Sequence, residues 1–138
     1  MVLSFRYKNV PRHNGTEAYS PSFSVTLQAK ESVTVPALVD SGADISVMPL
    51  ALAEFIGCDL SGPIDETFGI GGSSRVKRTE ATVRVQKGHE RYSIRVPFCV
   101  LLDEPVPVLL GRAGFFDAFD ITFKQATERF TLKRVSKS

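Results

Sequence analysis

The chain has 138 residues, 43% hydrophobic and 23% charged, a balance that suits a globular fold of one domain spanning residues 1–138. A net charge of +2, with the basic residues dispersed, gives no argument for a nucleic-acid partner. No apolar run is long enough to cross a membrane, and Met1-Val2-Leu3-Ser4-Phe5-Arg6-Tyr7-Lys8 brings charges too early for a signal peptide, so a cytoplasmic protein without a membrane partner is expected.

Short alternating segments broken by Gly, Pro and polar turns predict a mostly β chain. Val2 to Tyr7 reads as the first strand, and Asn9 to Pro21 as a polar loop. Phe23 to Gln28 and Val33 to Val39 form a hairpin across Ala29-Lys30-Glu31-Ser32. Its second arm ends in the apolar run Ala37-Leu38-Val39 and meets Asp40-Ser41-Gly42-Ala43-Asp44, the pattern of a buried strand delivering a loop. A helix follows, with Pro49 in its first turn, an apolar stripe of Leu50, Leu52, Ala53, Phe55 and Ile56, and Gly57 at its stop.

Ile64 to Phe68 and Arg75 to Gln86 read as strands flanking Gly69-Ile70-Gly71-Gly72-Ser73-Ser74. The basic run Arg75-Val76-Lys77-Arg78 then falls on a solvated strand face. A turn at Lys87-Gly88 leads into Arg91 to Leu102. Val106 to Leu110 is a short buried strand ending at Gly111-Arg112. A short helix from Ala113 to Ala118 and a hairpin of Asp120 to Lys124 with Arg129 to Arg134 complete the chain. Cys58 and Cys99 sit in no metal or redox spacing and read as buried thiols; His13 and His89 lie in turn-like surroundings. No metal or cofactor is expected.

Asp-Ser-Gly alone makes turns for ordinary reasons, because its side chains bond the local backbone and Gly tolerates positive φ. Its setting is more telling. After an apolar strand the carboxylate of Asp40 stands at the lip of the core, where an unused charge is costly.

Ala37-Leu38-Val39-Asp40-Ser41-Gly42-Ala43-Asp44 resembles the active-site loop of retroviral-type (retropepsin-like) aspartic proteases. Phe68-Gly69-Ile70-Gly71-Gly72 is similar to the flap tip of those enzymes, and Val108-Leu109-Leu110-Gly111-Arg112 to the segment leading into their C-terminal helix. The resemblance implies a closed β-barrel-like acid protease fold with one C-terminal-side short helix, one further helix and a flap hairpin, as a two-fold homodimer. It implies an endopeptidase acting on peptide or protein substrates through Asp40 from each copy, since a chain with one such motif must dimerise to bring two carboxylates together.

By the same resemblance, the hydroxyl of Ser41 ties the two loops together and Gly42 meets the substrate main chain. Ala43 belongs to the loop, Asp44 and Arg112 brace it, and Gly69, Ile70, Gly71 and Gly72 form a flap that closes over peptide. Ile45, Val47, Ile70 and Val108 are the expected pocket-lining side chains. An ordinary surface ion pair for Asp44 and Arg112, and a plain loose hairpin for the flap, are the bland alternatives. The competing reading of the whole is a catalytically silent peptide-binding or dimerisation module with this fold. Two features depart from the family: retroviral enzymes end with one short strand that interleaves with the N-termini, whereas this chain continues into a full hairpin, and Ala113 stands where a polar residue is common.

Overall fold

In the computed structural model, which describes residues 2–11, 17–69 and 72–135, the chain is mostly β. The strands are β1 (Val2–Arg6), β2 (Lys8–Pro11), β3 (Glu17–Ser20), β4 (Ser22–Gln28), β5 (Ser32–Val39) and β6 (Ser46–Pro49). They continue as β7 (Asp65–Gly69), β8 (Gly72–Lys87), β9 (Glu90–Leu101), β10 (Val108–Leu110), β11 (Phe119–Lys124) and β12 (Arg129–Arg134). Helix α1 (Leu50–Ile56) follows β6, and a kinked helical turn, Arg112–Phe116, follows β10.

The main sheet runs β4-β5-β10-β6-β9-β8-β7. β4 also pairs with β8, through Thr26↔Arg84, Leu27↔Val83 and Gln28↔Thr82, so the pairings return to their first strand. Alternation decides which face turns inward. On β8 and β9, Ala81, Val83, Val85, Ile94, Val96 and Phe98 are buried, while Glu80, Arg91 and Arg95 between or beside them are exposed. The basic run on β8 is engaged rather than presented as a patch. Arg75 pairs with Asp103, Lys77 donates to the Leu60 carbonyl at 2.7 Å, and Arg78 lies 3.7 Å from Asp65.

A second sheet, β1-β12-β11, packs on the first through aromatic rings. Phe130 of β12 lies 5.3 Å from Phe23 of β4 and 5.4 Å from Phe5 of β1, and Phe115 lies 5.2 Å from Phe119 of β11. One apolar cluster therefore reaches from Leu3 to Leu132. Aromatic contacts of this kind add about 0.5–1.5 kcal/mol each beyond the area they bury.

Three expectations need correction. The loop expected from Asn9 to Pro21 contains the β2–β3 pair, in register from Lys8↔Ser20 to Pro11↔Glu17. Its prolines argued against a strand, but Pro11 closes β2 and Pro21 lies beyond β3, where a missing N–H disturbs the ladder least. His13 lies outside the described residues. In α1, Ala53 and Ile56 are buried but Phe55 is 65% exposed, because so short a helix offers the core only a narrow face.

The helix expected from Ala113 to Ala118 is broken. Ala113 is extended at ψ 120° and Gly114 takes φ 84°, a left-handed value that favours glycine. The Ala113 N–H donates to the Asp44 carbonyl at 2.9 Å, which ties this extended residue to the Asp40 loop.

The limits of α1 agree with the sequence signals. Pro49 stands in the extended region before its first turn, and Gly57 ends it at φ 74°. The last carbonyl of the helix, from Ile56, accepts from Lys30 and Glu31 in the β4–β5 turn at 2.8 and 2.9 Å. Cys99 is buried and Cys58 half-buried, and burial pushes both thiols above their ordinary value. No helix among the described residues is long and apolar enough to cross a membrane.

Candidate active site

The site starts with two buried strands lying side by side. β5 and β10 are parallel, in register Val108↔Ala37, Leu109↔Leu38 and Leu110↔Val39. Where β5 ends, the ladder continues one step further: the Asp40 N–H donates to the Leu110 carbonyl at 3.0 Å. Asp40 is half-buried. Its Oδ1 accepts the Gly42 N–H at 2.9 Å, and its carbonyl accepts the Ala43 N–H at 3.2 Å. This is the Asx-turn geometry that Asp-Ser-Gly favours. A Cβ on Gly42 would stand 3.3 Å from Asp40 Oδ1, so a side chain there would press on the carboxylate. Among the described residues Asp40 Oδ2 has no hydrogen-bond donor.

The other wall is the Gly111-Arg112 turn. The Arg112 N–H donates to the Ala43 carbonyl at 2.9 Å, and the Arg112 guanidinium is ion-paired with the exposed carboxylate of Asp44. Gly111 is the close approach. A Cβ there would lie 2.7 Å from the Ala43 carbonyl oxygen and 2.8 Å from the Ile45 carbonyl carbon, both backbone atoms that cannot swing away. Its N–H donates to Ser46 Oγ at 2.9 Å, and Ser46 is fully buried. The sequence reading missed Ser46, and with it strand β6. Burial marks Ser46 in the structure, and burial is not written in a single serine of the sequence.

Pairing also sorts the aliphatic residues. Leu109 stands opposite both Leu38 and Val47, so three half-buried side chains form a row across β5, β10 and β6. Their neighbours Ala37, Val39, Val108, Leu110, Ser46 and Met48 are buried on the other face. Residues two apart in an extended chain share a face, which puts Asp40 on the side of Leu38. Val108, expected to line a pocket, is only 5% exposed and belongs to the core, while its neighbour Leu109 is half-buried on the face of Leu38. Ile45 and Val47 are half-buried. Ser41 is exposed and Ala43 half-buried.

The glycine-rich hairpin joins β7 to β8, with Gly69 opposite Gly72. Ile70 and Gly71 lie outside the described residues. The arm is exposed from Asp65 to Thr67. It is fastened at its base by polar side chains: Arg75 makes two bonds to Asp103, at 2.6 and 2.8 Å, and Ser74 Oγ donates to Glu104 at 2.8 Å. The Asp103 carboxyl is held below its ordinary range, first by the hydrogen bond from Arg75.

One core strand of a mostly β chain thus delivers Asp-Ser-Gly against the Gly-Arg turn that follows its parallel neighbour. No protein-family model matches the chain, and no curated protein does. Among solved structures, the chain is similar to a retropepsin-like aspartic protease from Rickettsia conorii, at 15% identity and a TM-score of 0.56, covering 96% of this chain and 91% of that one. It also matches the EIAV protease complexed with the inhibitor HBY-793, at 24% identity, a TM-score of 0.42, and coverage of 67% of this chain and 82% of that one. The retroviral protease-like domain of Ddi1 from Leishmania major matches at 24% identity and a TM-score of 0.46, covering 66% of this chain and 72% of that one. The likeness to the Rickettsia protein shows that this chain has the retropepsin-like fold.

Proposed function

We propose that the chain is an aspartic endopeptidase acting as a two-fold homodimer, with one Asp40 from each copy. The observation that carries this reading is the seating of Asp40. It is a half-buried carboxylate at the end of a core strand, pinned through its own N–H and through Gly42, with Oδ2 unengaged among the described residues. The turn uses Oδ1 alone, which leaves Oδ2 for a water molecule.

Two such carboxylates facing each other share one proton, because like charges that close cannot both ionise. The ionised one takes a proton from water as the water oxygen attacks the peptide carbonyl. The other gives its proton to the carbonyl oxygen, forming a gem-diol. Return of protons to the amide nitrogen and from the gem-diol then breaks the C–N bond, releasing an acid and an amine. Ser41 ties the two loops, Gly42 and Asp44 meet the substrate main chain, and Arg112 holds Asp44. The hairpin of Gly69, Ile70, Gly71 and Gly72 covers an extended peptide, bound as an added strand. Leu38, Val47 and Leu109 supply apolar contact beside the scissile bond.

A peptide-library cleavage assay with wild type and Asp40→Asn tests this. Asparagine keeps the shape and cannot act as the base. General acid–base catalysis is commonly worth ~10²–10⁴-fold, and here it carries most of the reaction, so cleavage should vanish while the fold persists. The pH profile should be bell-shaped, falling when both carboxylates are protonated and when both are ionised. Wild type that binds peptides without cutting them would establish the silent-module reading instead.

A further inference from the structure

One end of the second sheet gathers positive charge that its own chain leaves unbalanced. Arg6, Arg129 and Lys124 stand in one row across β1, β12 and β11, in register Arg6↔Arg129 and Lys124↔Arg129. Residues directly opposite on a ladder have Cβ atoms about 4.5–5.5 Å apart, and like charges so placed destabilise the sheet. The row lies on the outer face, since the adjoining Phe5 and Phe130 pack into the core. Among the described residues the side chains of Arg6 and Lys124 have no ion pair or hydrogen bond, and Arg129 donates only to Ser4 Oγ, at 3.2 Å.

A cavity of about 320 Å³ opens beside this row, lined by Arg6, Tyr7, Tyr19, Thr127, Glu128 and Arg129. Its wall is fixed: the Tyr7 N–H donates to the Glu128 carbonyl at 2.8 Å, and Glu128 holds the left-handed φ of 52° in the β11–β12 turn. The Glu128 carboxylate pairs with neither arginine. Tyr19, on β3, is 64% exposed, so its ring offers a flat apolar surface at the rim. The larger cavity, about 690 Å³ and lined by Lys30, Arg78 and Arg95, differs in this respect. There Arg78 lies 3.7 Å from Asp65, and Arg95 lies 3.2 Å from Glu80.

We propose that the cavity at the end of the second sheet binds a phosphate monoester. Arg6 and Arg129 hold the dianionic phosphate, and the esterified group lies against Tyr19. Guanidinium groups match phosphate oxygens two bonds at a time, which a lysine does not. Lys124 does not line the cavity and contributes charge alone. The bound dianion turns the repulsion within the row into attraction. No lining residue belongs to the Asp40 loop, the Gly111-Arg112 turn or the β7–β8 arm, so the site stands or falls apart from the protease reading.

The test titrates the protein with phenyl phosphate and with inorganic phosphate at constant ionic strength, following amide NMR shifts and the melting temperature. Saturable shifts should be confined to the end of β1, to β3, to the β11–β12 turn and to the start of β12. At about a hundredfold excess over Kd, phenyl phosphate should raise the wild-type melting temperature by at least about 3 °C. Arg6→Gln should weaken its binding about tenfold or more, and Lys30→Gln, the same loss of charge at the other cavity, should not. Glu128→Gln should tighten it about threefold, because a repelling charge is gone. Tyr19→Ala should weaken phenyl phosphate and spare inorganic phosphate. Without ligand, Arg6→Gln should melt at or above wild type; with ligand, wild type should melt higher. An arginine with only a structural task would not reverse that order. Arg6→Gln melting below wild type in both conditions, equal losses in Arg6→Gln and Lys30→Gln, or weaker binding in Glu128→Gln would each overturn the site. Inorganic phosphate bound as tightly as phenyl phosphate would overturn the monoester.

Discussion

The Asp40 loop and the β7–β8 arm are held by different kinds of bond. Asp40, Ala43 and Asp44 are tied to Leu110, Arg112 and Ala113 by backbone hydrogen bonds, backed by the buried Ser46 hydroxyl. The β7–β8 arm is tied to the segment after β9 largely by exposed side chains, Arg75 to Asp103 and Ser74 to Glu104, with one backbone bond from Leu102 to Arg75. Buried backbone bonds fix geometry and resist salt. Exposed ion pairs contribute little to folding and respond to both salt and pH. In the proposed protease, the first kind would hold the reacting groups in place and the second would let the arm move.

The comparison breaks most visibly at Gly111. Gly111→Ala places a methyl 2.7 Å from the Ala43 carbonyl oxygen, and the loop must move. We expect a loss at the upper end of about 1–3 kcal/mol, a drop of about 10 °C in melting temperature, and no measurable cleavage. Calorimetry and a peptide assay check this together; an unchanged melt would mean that the loop yields easily.

Next in size is Ser46→Ala. It leaves the buried Gly111 N–H without its acceptor, which costs about 1–3 kcal/mol, and Ser46→Thr, which keeps a hydroxyl, should recover part of it. Denaturant unfolding reads both. Arg112→Ala should separate position from stability. The Asp44–Arg112 pair is exposed and the backbone bond to Ala43 survives, so the melt should move by less than about 3 °C. Losing the loop's orientation should still lower kcat/KM by about tenfold or more. Equal losses in both measurements would remove the positioning role.

The smallest expected effect on stability belongs to the arm. Asp103 keeps its proton off to lower pH than an ordinary carboxyl because of Arg75. A carboxyl depressed in the folded state contributes stability above its unfolded value and loses it as pH falls through the folded one. The fastening should thus be complete at neutral pH and lost below the ordinary carboxylate range. Hydrogen exchange should show β7 and the start of β8 loosening on acidification or in high salt, with β5 and β10 unchanged. In Arg75→Gln the loosening should already be present at neutral pH and low salt, with the melting temperature hardly altered. Uniform exchange across arm and loop would erase the contrast.

The sequence alone made the Asp40 loop legible because an apolar strand stopping at Asp-Ser-Gly is a local pattern. Pro49 and Gly57 marked the ends of α1 for the same reason, each acting through its own backbone preference. What the sequence left unread depends on partners. Val108-Leu109-Leu110 is apolar throughout, so nothing in the triplet says which residue faces the core; only register with Ala37, Leu38 and Val39 does. Strand β6 spans only Ser46–Pro49, too few residues between a loop and a helix for an alternation to show. Gly111 was read as part of a motif, but the reason it must be glycine is a carbonyl many residues earlier in the chain.

The parallel pairing of β5 with β10 also orders events in time. The partner that receives the Asp40 N–H is Leu110, so a chain growing from the ribosome carries its carboxylate long before anything can seat it. Contacts that span so much sequence form slowly, and the loop closure they require comes before their reward. The Asp40 loop therefore cannot take up its seat until Leu110 has been made, and in the proposed protease cutting would have to wait for that pairing.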